Sequence, residues 1–138
     1  MQIHKAPGLN IKVFNGMADD VLKASNLALI TSGTATLEAM MAKCLIIVSY
    51  KMPGLSYFIL KRLVKTPYLA LPNIIAKREL VPEYIQNRAS INNLKIELES
   101  KIKSIVSGKD ELLINKFNKM HQDLIVSPDA FLNAISRL

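Results

Sequence analysis

A short polar segment that follows a continuous apolar run carries the residues of this chain that are best suited to hold a ligand. The run is Leu27–Ile30, and the segment contains Ser32, Gly33 and Thr34 ahead of a helical pattern. The first N–H groups of a helix lack backbone partners and lie at the positive end of its dipole, so this junction suits an anion such as a phosphate. Glu38 follows Thr34 by one helical turn, where its carboxylate can accept hydrogen bonds from ribose hydroxyls. The same residues also fit a plain helix N-cap, so the motif alone leaves both interpretations open.

The segments around this junction alternate between strand and helix patterns. Strands are predicted at 11–14, 27–30, 45–50 and 68–71, and helices at 17–25, 34–43 and 54–65. This order indicates a parallel sheet covered by helices on both faces. Ligands of such sheets bind at the carboxyl ends of the strands, which is where the polar segment lies.

From residue 80 onward the pattern contains helices only. They are predicted at 81–86, 90–106, 110–125 and 127–138. The predicted fold class is therefore α/β, a partial parallel sheet followed by C-terminal helices. We expect a single domain over 1–138, with an α/β part at about 10–80 and a helical part at about 81–138.

Composition narrows the function classes further. Half of the 138 residues are apolar and about a fifth are charged, which is typical of a globular domain. The only cysteine is Cys44, and no Cys/His cluster has metal-ligand spacing, so we expect no disulfide, metal or cofactor. The first eight residues lack the apolar core of a signal peptide, and no apolar run is long enough to cross a bilayer. The formal net charge of +7 suits nucleic acid, anionic lipid or a phosphorylated substrate, without choosing among them.

Three motifs in a fixed order resemble the lipid-A-disaccharide synthase family. They are S-G-T-A-T-L-E at 32–38, K-R-L-V-K at 61–65 and L-P-N-I-I-A-K-R-E-L-V-P-E-Y-I-Q at 71–86. The strong resemblance covers about 28–88, with a weaker continuation to the last residue. Two positions depart from the family pattern: Lys43 begins the tripeptide that matches the family's Gly-x-Pro, and Lys77 replaces a glycine before the Arg-Glu pair.

The resemblance implies a GT-B glycosyltransferase with two Rossmann-like halves, of which this chain matches the C-terminal, donor-binding part. Such enzymes transfer a hexosyl group from UDP-2,3-diacylglucosamine to 2,3-diacylglucosamine 1-phosphate at the cytoplasmic face of the inner membrane. By analogy, Ser32, Gly33 and Thr34 hold the diphosphate and Glu38 holds the ribose. The residues expected to line the donor side are Asn73, Arg78, Glu79 and Gln86.

The resemblance also implies what this chain lacks. No residue here is assigned a catalytic role, since the acceptor site and the general base are expected on an N-terminal half, supplied by a complementary chain. The expected ligand is UDP or UDP-diacylglucosamine, and the expected location is cytoplasmic. The apolar segment 52–65 with its cationic end fits either a core helix or a helix that contacts an anionic membrane surface. A non-catalytic remnant that self-associates through exposed apolar surface is an alternative. Nucleic-acid binding ranks lowest, because no matching motif is present and aromatic residues are sparse.

Overall fold

A three-stranded parallel sheet forms the centre of the computed structural model, which describes residues 8–31, 33–54, 66–127 and 129. The strands are β1 (Leu27–Ile30), β2 (Leu45–Tyr50) and β3 (Glu83–Ile85). They lie side by side in this order, with β2 in the middle. A parallel sheet flanked by helices confirms the predicted fold class.

The helices of the described residues occur where the sequence places most of them. They are α1 (Ala18–Ala24), α2 (Thr34–Met41), α3 (Leu71–Ala76), α4 (Ile91–Val106) and α5 (Glu111–Val126), with a 3-10 turn at Gln86–Arg88. The hydroxyl of Ser90 caps α4 by accepting a hydrogen bond from the Asn93 N–H group at 3.2 Å. The helices predicted at 54–65 and 127–138 lie almost wholly outside the described residues. No helix within the described ranges is long and apolar enough to span a membrane.

The core lies between one face of the sheet and helices α2 and α5. Ile46 and Val48 of β2 pack there against Met40 of α2 and Phe117 of α5, all buried. Full burial of a side chain the size of Phe117 contributes roughly 1.5–3 kcal/mol to stability. Ile47 lies on the opposite face of β2 and is also fully buried, so both faces of the central strand are covered. The continuous apolar pattern of β2 follows from this position.

The strand predicted at 11–14 is wrong. Residues 11–14 have no regular secondary structure, and every one of them is exposed. Alternating β-branched residues raise the propensity for a strand, but a strand forms only where a neighbouring strand pairs with it.

The strand predicted at 68–71 is also wrong. Ala70 makes one isolated parallel bridge to Gly33, and α3 begins immediately afterwards at Leu71. The backbone N–H groups of Leu69 and Ala70 donate to the carboxylate of Glu83, so they are not available to a sheet ladder. Pro72 stands in the first turn of α3, where its missing N–H group is tolerated.

The short helix predicted at 81–86 is replaced by β3. Its residues pair in parallel with Val48–Tyr50 of β2, and the Val48 N–H group also donates to the Pro82 carbonyl at 2.9 Å. A buried central strand needs partners for its backbone groups on both sides, and this tertiary requirement overrides the local pattern. β3 consequently lies in the part of the chain that was predicted to contain helices only.

Candidate functional site

The glycine turn between β1 and α2 lies at the carboxyl edge of the sheet. Gly33 is the N-cap of α2 and has φ 92° and ψ −154°, a backbone conformation that side-chain-bearing residues rarely adopt. Glycine offers no capping side chain to the first N–H groups of α2, and backbone groups of this turn also form the isolated parallel bridge to Ala70. Gly33 and Thr34 are both exposed. The turn therefore presents a helix N-terminus at the edge where ligands of parallel sheets bind.

Glu38 is exposed on α2, one turn after Thr34. Residues four positions apart share a helix face, so its carboxylate and the Thr34 hydroxyl lie on the same side of α2. The predicted ligand residue Ser32 is outside the described residues. Two of the three predicted diphosphate contacts and the predicted ribose contact are thus accessible.

Asn73 has a buried structural position. Its Nδ2 group donates to the Val81 carbonyl and to Glu83 Oε1, both at 2.8 Å. Its Oδ1 atom accepts from the N–H groups of Leu80 at 2.7 Å and Val81 at 2.9 Å. These four hydrogen bonds use the full capacity of a side-chain amide. In this structure the Asn73 amide has no donor or acceptor site left for the ligand contact that the sequence predicts.

Arg78 and Glu79 follow the end of α3 and are exposed. The Arg78 N–H group donates to the Asn73 carbonyl at 3.2 Å, which fixes the backbone of this segment. Within the described part of the chain the ion pairs are Lys23–Asp19 and Lys95–Glu99, so Arg78 and Glu79 are not bonded to each other. Arg78 is exposed, and a guanidinium suits a phosphate.

Gln86 connects two strand ends. Its Nε2 group donates to the Met52 carbonyl at 3.0 Å, and its Oε1 atom accepts from the Met52 N–H group at 2.8 Å. Met52 follows β2 and Gln86 follows β3, so this pair holds the carboxyl ends of both strands together. The contacts position the edge of the site, and Gln86 is half-buried.

Two residues of the site were missed by sequence reasoning, namely Thr36 and Glu83. The Thr36 hydroxyl donates to the Gly33 carbonyl at 2.8 Å and accepts from the Leu71 N–H group at 3.1 Å. Glu83 is 5% exposed and accepts three hydrogen bonds from the segment before and within α3. The available signal was a carboxylate inside the otherwise apolar run from Leu80 to Ile85.

An open cleft of about 480 Å³ lies elsewhere on the molecule. Its lining includes Asn26 and Leu45, which stand at the amino ends of β1 and β2, and Gly108 between α4 and α5. This is the edge of the sheet opposite to Gly33. The lining of this cleft includes none of the predicted ligand residues, so the candidate site is the surface at the carboxyl edge.

Comparison with known proteins assigns the chain to a family. A family model described as lipid-A-disaccharide synthetase matches residues 1–135. The chain belongs to this family. The lipid-A-disaccharide synthases of Salmonella paratyphi A and Salmonella newport are each 38% identical to it over 125 residues, which is 90% of this chain and 32% of each relative. The chain spans about a third of the length of the curated relatives it matches, and its family is one of glycosyltransferases of lipid A biosynthesis.

The two lysines that depart from the lipid-A-disaccharide synthase pattern both have left-handed backbone conformations. Lys43 has φ 61° just after α2, and Lys77 has φ 53° as the C-cap of α3. Glycine is favoured at such helix ends because it lacks the Cβ atom that makes this conformation costly. The backbone thus has the conformation that suits the family's usual glycine at both positions, and the lysines adopt it at some cost in free energy.

Proposed function

We propose that this chain is the donor-nucleotide-binding portion of a lipid-A-disaccharide synthase and binds UDP or UDP-2,3-diacylglucosamine. The diphosphate lies at the N-terminus of α2. Its oxygens accept hydrogen bonds from the backbone N–H groups at Gly33 and Thr34 and from the hydroxyl of Ser32. Glu38 accepts hydrogen bonds from the ribose, and Arg78 contributes a cation to the diphosphate. The observation that carries this proposal is the exposed glycine turn at the carboxyl edge of β1 in a chain of this family.

The reaction we propose for the assembled enzyme is transfer of a hexosyl group from UDP-2,3-diacylglucosamine to 2,3-diacylglucosamine 1-phosphate. In that reaction the residues of this chain hold the leaving UDP, and the donors at the N-terminus of α2 stabilise the charge that develops on it. The acceptor site and the general base that deprotonates the attacking hydroxyl come from the remainder of the family's length. The chain alone is then a nucleotide-binding protein without transferase activity.

Calorimetric titration of the chain with UDP, UMP and uridine tests the binding proposal. Affinity should fall in this order, because UMP loses one phosphate and uridine loses both. At a UDP concentration about 100 times Kd, binding adds about 2.7 kcal/mol of stability, and Tm then rises by roughly 8 °C at this chain length. Equal affinities for UDP and uridine, or no heat at millimolar UDP, would contradict a diphosphate site.

Two variants locate the site. Gly33→Asp introduces a carboxylate where the diphosphate binds and should abolish UDP binding. Glu38→Ala removes a charged hydrogen-bond acceptor and should weaken UDP by roughly 10–100-fold. The matched control is Gly108→Asp, since Gly108 also has a positive φ of 68° and open space around it but lies between α4 and α5. Loss of UDP binding in the control would assign the effect to folding rather than to the site.

The complementary portion of the enzyme is the partner in this proposal. Transferase activity should appear only when this chain is combined with a polypeptide carrying the N-terminal two-thirds of a family member. A non-catalytic remnant predicts the opposite pattern, a poorly cooperative thermal transition that UDP does not shift. The UDP titration therefore separates the two alternatives before any activity is assayed.

A further inference from the structure

The buried polar side chains of the described residues form one set, in which Asn73 and Glu83 are bonded directly and Thr36 is joined to them through the backbone of residues 70 and 71. They are Thr36 and Asn73, which are fully buried, and Glu83, which is 5% exposed. Burying polar groups costs free energy unless each of them is hydrogen-bonded. All three are paired here, and the set lies directly beneath the candidate site.

The two ends of the set contact the two surface segments that we propose for ligand binding. At one end the Thr36 hydroxyl bonds the Gly33 carbonyl at 2.8 Å and the Leu71 N–H group at 3.1 Å. At the other end the Asn73 side chain accepts hydrogen bonds from the 80–81 backbone, and the backbone carbonyl of Asn73 accepts one from the Arg78 N–H group. The glycine turn and the arginine segment are thereby tied to the same buried framework.

Glu83 is the centre of this framework. Its Oε2 atom accepts from the Leu69 N–H group at 2.9 Å, and its Oε1 atom accepts from the Ala70 N–H group at 2.9 Å and from Asn73 Nδ2 at 2.8 Å. Ala70 in turn forms the isolated parallel bridge to Gly33. Each carboxylate oxygen thus accepts at least one hydrogen bond from the 69–73 segment.

We propose that Glu83 is a positioning residue for nucleotide binding, which it supports without touching the nucleotide. It holds Leu69 and Ala70 against the Gly33 turn and orients Asn73, so that the turn and the Arg78 segment keep a fixed separation. A diphosphate that contacts both segments binds more tightly when they are already at that separation, because less conformational entropy is lost. The inference rests on the proposed function, since it names the residue that shapes the same site.

Glu83→Gln tests the proposal, with Phe117→Leu as the matched control. Glutamine keeps the shape of the side chain but replaces one acceptor oxygen with an NH₂ group, so one of the N–H groups of Leu69 and Ala70 loses its acceptor. Phe117→Leu disturbs the core on α5 and removes no hydrogen-bonding group of the set. We expect UDP affinity to fall at least about 10-fold in folded Glu83→Gln and less than about 2-fold in the control. The same effect in both variants, or none in Glu83→Gln, would overturn the positioning role.

Amide NMR supplies readouts that do not need UDP. The Gly33 and Thr34 amide resonances should shift in Glu83→Gln and stay in place in Phe117→Leu. If they shift in neither variant, Glu83 does not position the Gly33 turn. In the unmodified chain the Leu69 and Ala70 amides should exchange with solvent as slowly as those of β2, and exchange at the rate of an open loop would likewise refute it. If the unmodified chain does not bind UDP, the proposed function fails, and these resonances and exchange rates still decide whether Glu83 shapes the turn.

Discussion

Replacing Thr36 with valine removes one buried hydroxyl and keeps the shape of the side chain. The Leu71 N–H group loses its acceptor in a buried position, which costs about 1–3 kcal/mol. The Gly33 carbonyl is partly exposed and keeps its hydrogen bond from the Thr36 N–H group at 3.1 Å. Losing the hydroxyl's bond to this carbonyl therefore costs only about 0.5–1 kcal/mol of stability. Together we expect a destabilisation of about 1.5–4 kcal/mol, which lowers Tm by roughly 5–13 °C for a chain of this length.

Thr36→Ser is the matched comparison, because it keeps the hydroxyl and removes only a methyl group. Its cost should be about 0.5–1.5 kcal/mol, the range for deleting one buried methyl group. Urea denaturation with unchanged m-values measures both variants on one scale. A valine variant within 0.5 kcal/mol of the unmodified chain, or a serine variant less stable than the valine variant, would refute the role assigned to the hydroxyl.

Two further predictions follow from backbone conformation and burial. Lys43→Gly and Lys77→Gly should each raise the free energy of unfolding by about 0.5–1 kcal/mol, because glycine relieves the left-handed conformation. The control Lys101→Gly, inside α4, should lower it by about 1 kcal/mol. Denaturant titration would contradict this if all three variants lost stability. Burial raises the pKa of the Cys44 thiol to about 11, so its contribution to stability is complete below pH 9 and is lost as the pH rises toward 11. A thiol reagent at pH 8 should modify Cys44 only after unfolding, and rapid labelling of the native chain would contradict its burial.

The sequence predicted well those elements whose pattern is set locally. β1 and β2 were predicted with the bounds they have, because continuous apolar runs bounded by polar turns identify strands buried in a parallel sheet. The helix predicted at 90–106 matches α4 to within one residue, because the spacing of its leucines and isoleucines is set locally. The glycine turn was also predictable, since a glycine between a buried strand and a helix favours a sharp change of backbone direction.

The remaining features depend on partners that are distant in sequence. Residues 68–71 contain a strand-like run, but the Glu83 carboxylate, about 13 residues away, takes the N–H groups that a ladder requires. The 81–86 segment becomes β3 because the backbone of β2 needs a second neighbour. The family resemblance predicted that Asn73 faces the ligand, whereas in the structure its side chain is buried and bonds the 80–81 backbone and Glu83. No local pattern reports such long-range hydrogen bonds.

The most direct test of the account is a titration of the ¹⁵N-labelled chain with UDP, followed by amide NMR. A diphosphate held at the N-terminus of α2 predicts saturable shifts that are largest at Gly33, Thr34 and their neighbours, smaller with UMP and absent in Gly33→Asp. Shifts confined to the cleft beside Asn26 and Gly108, or no shifts at several millimolar UDP, would contradict it.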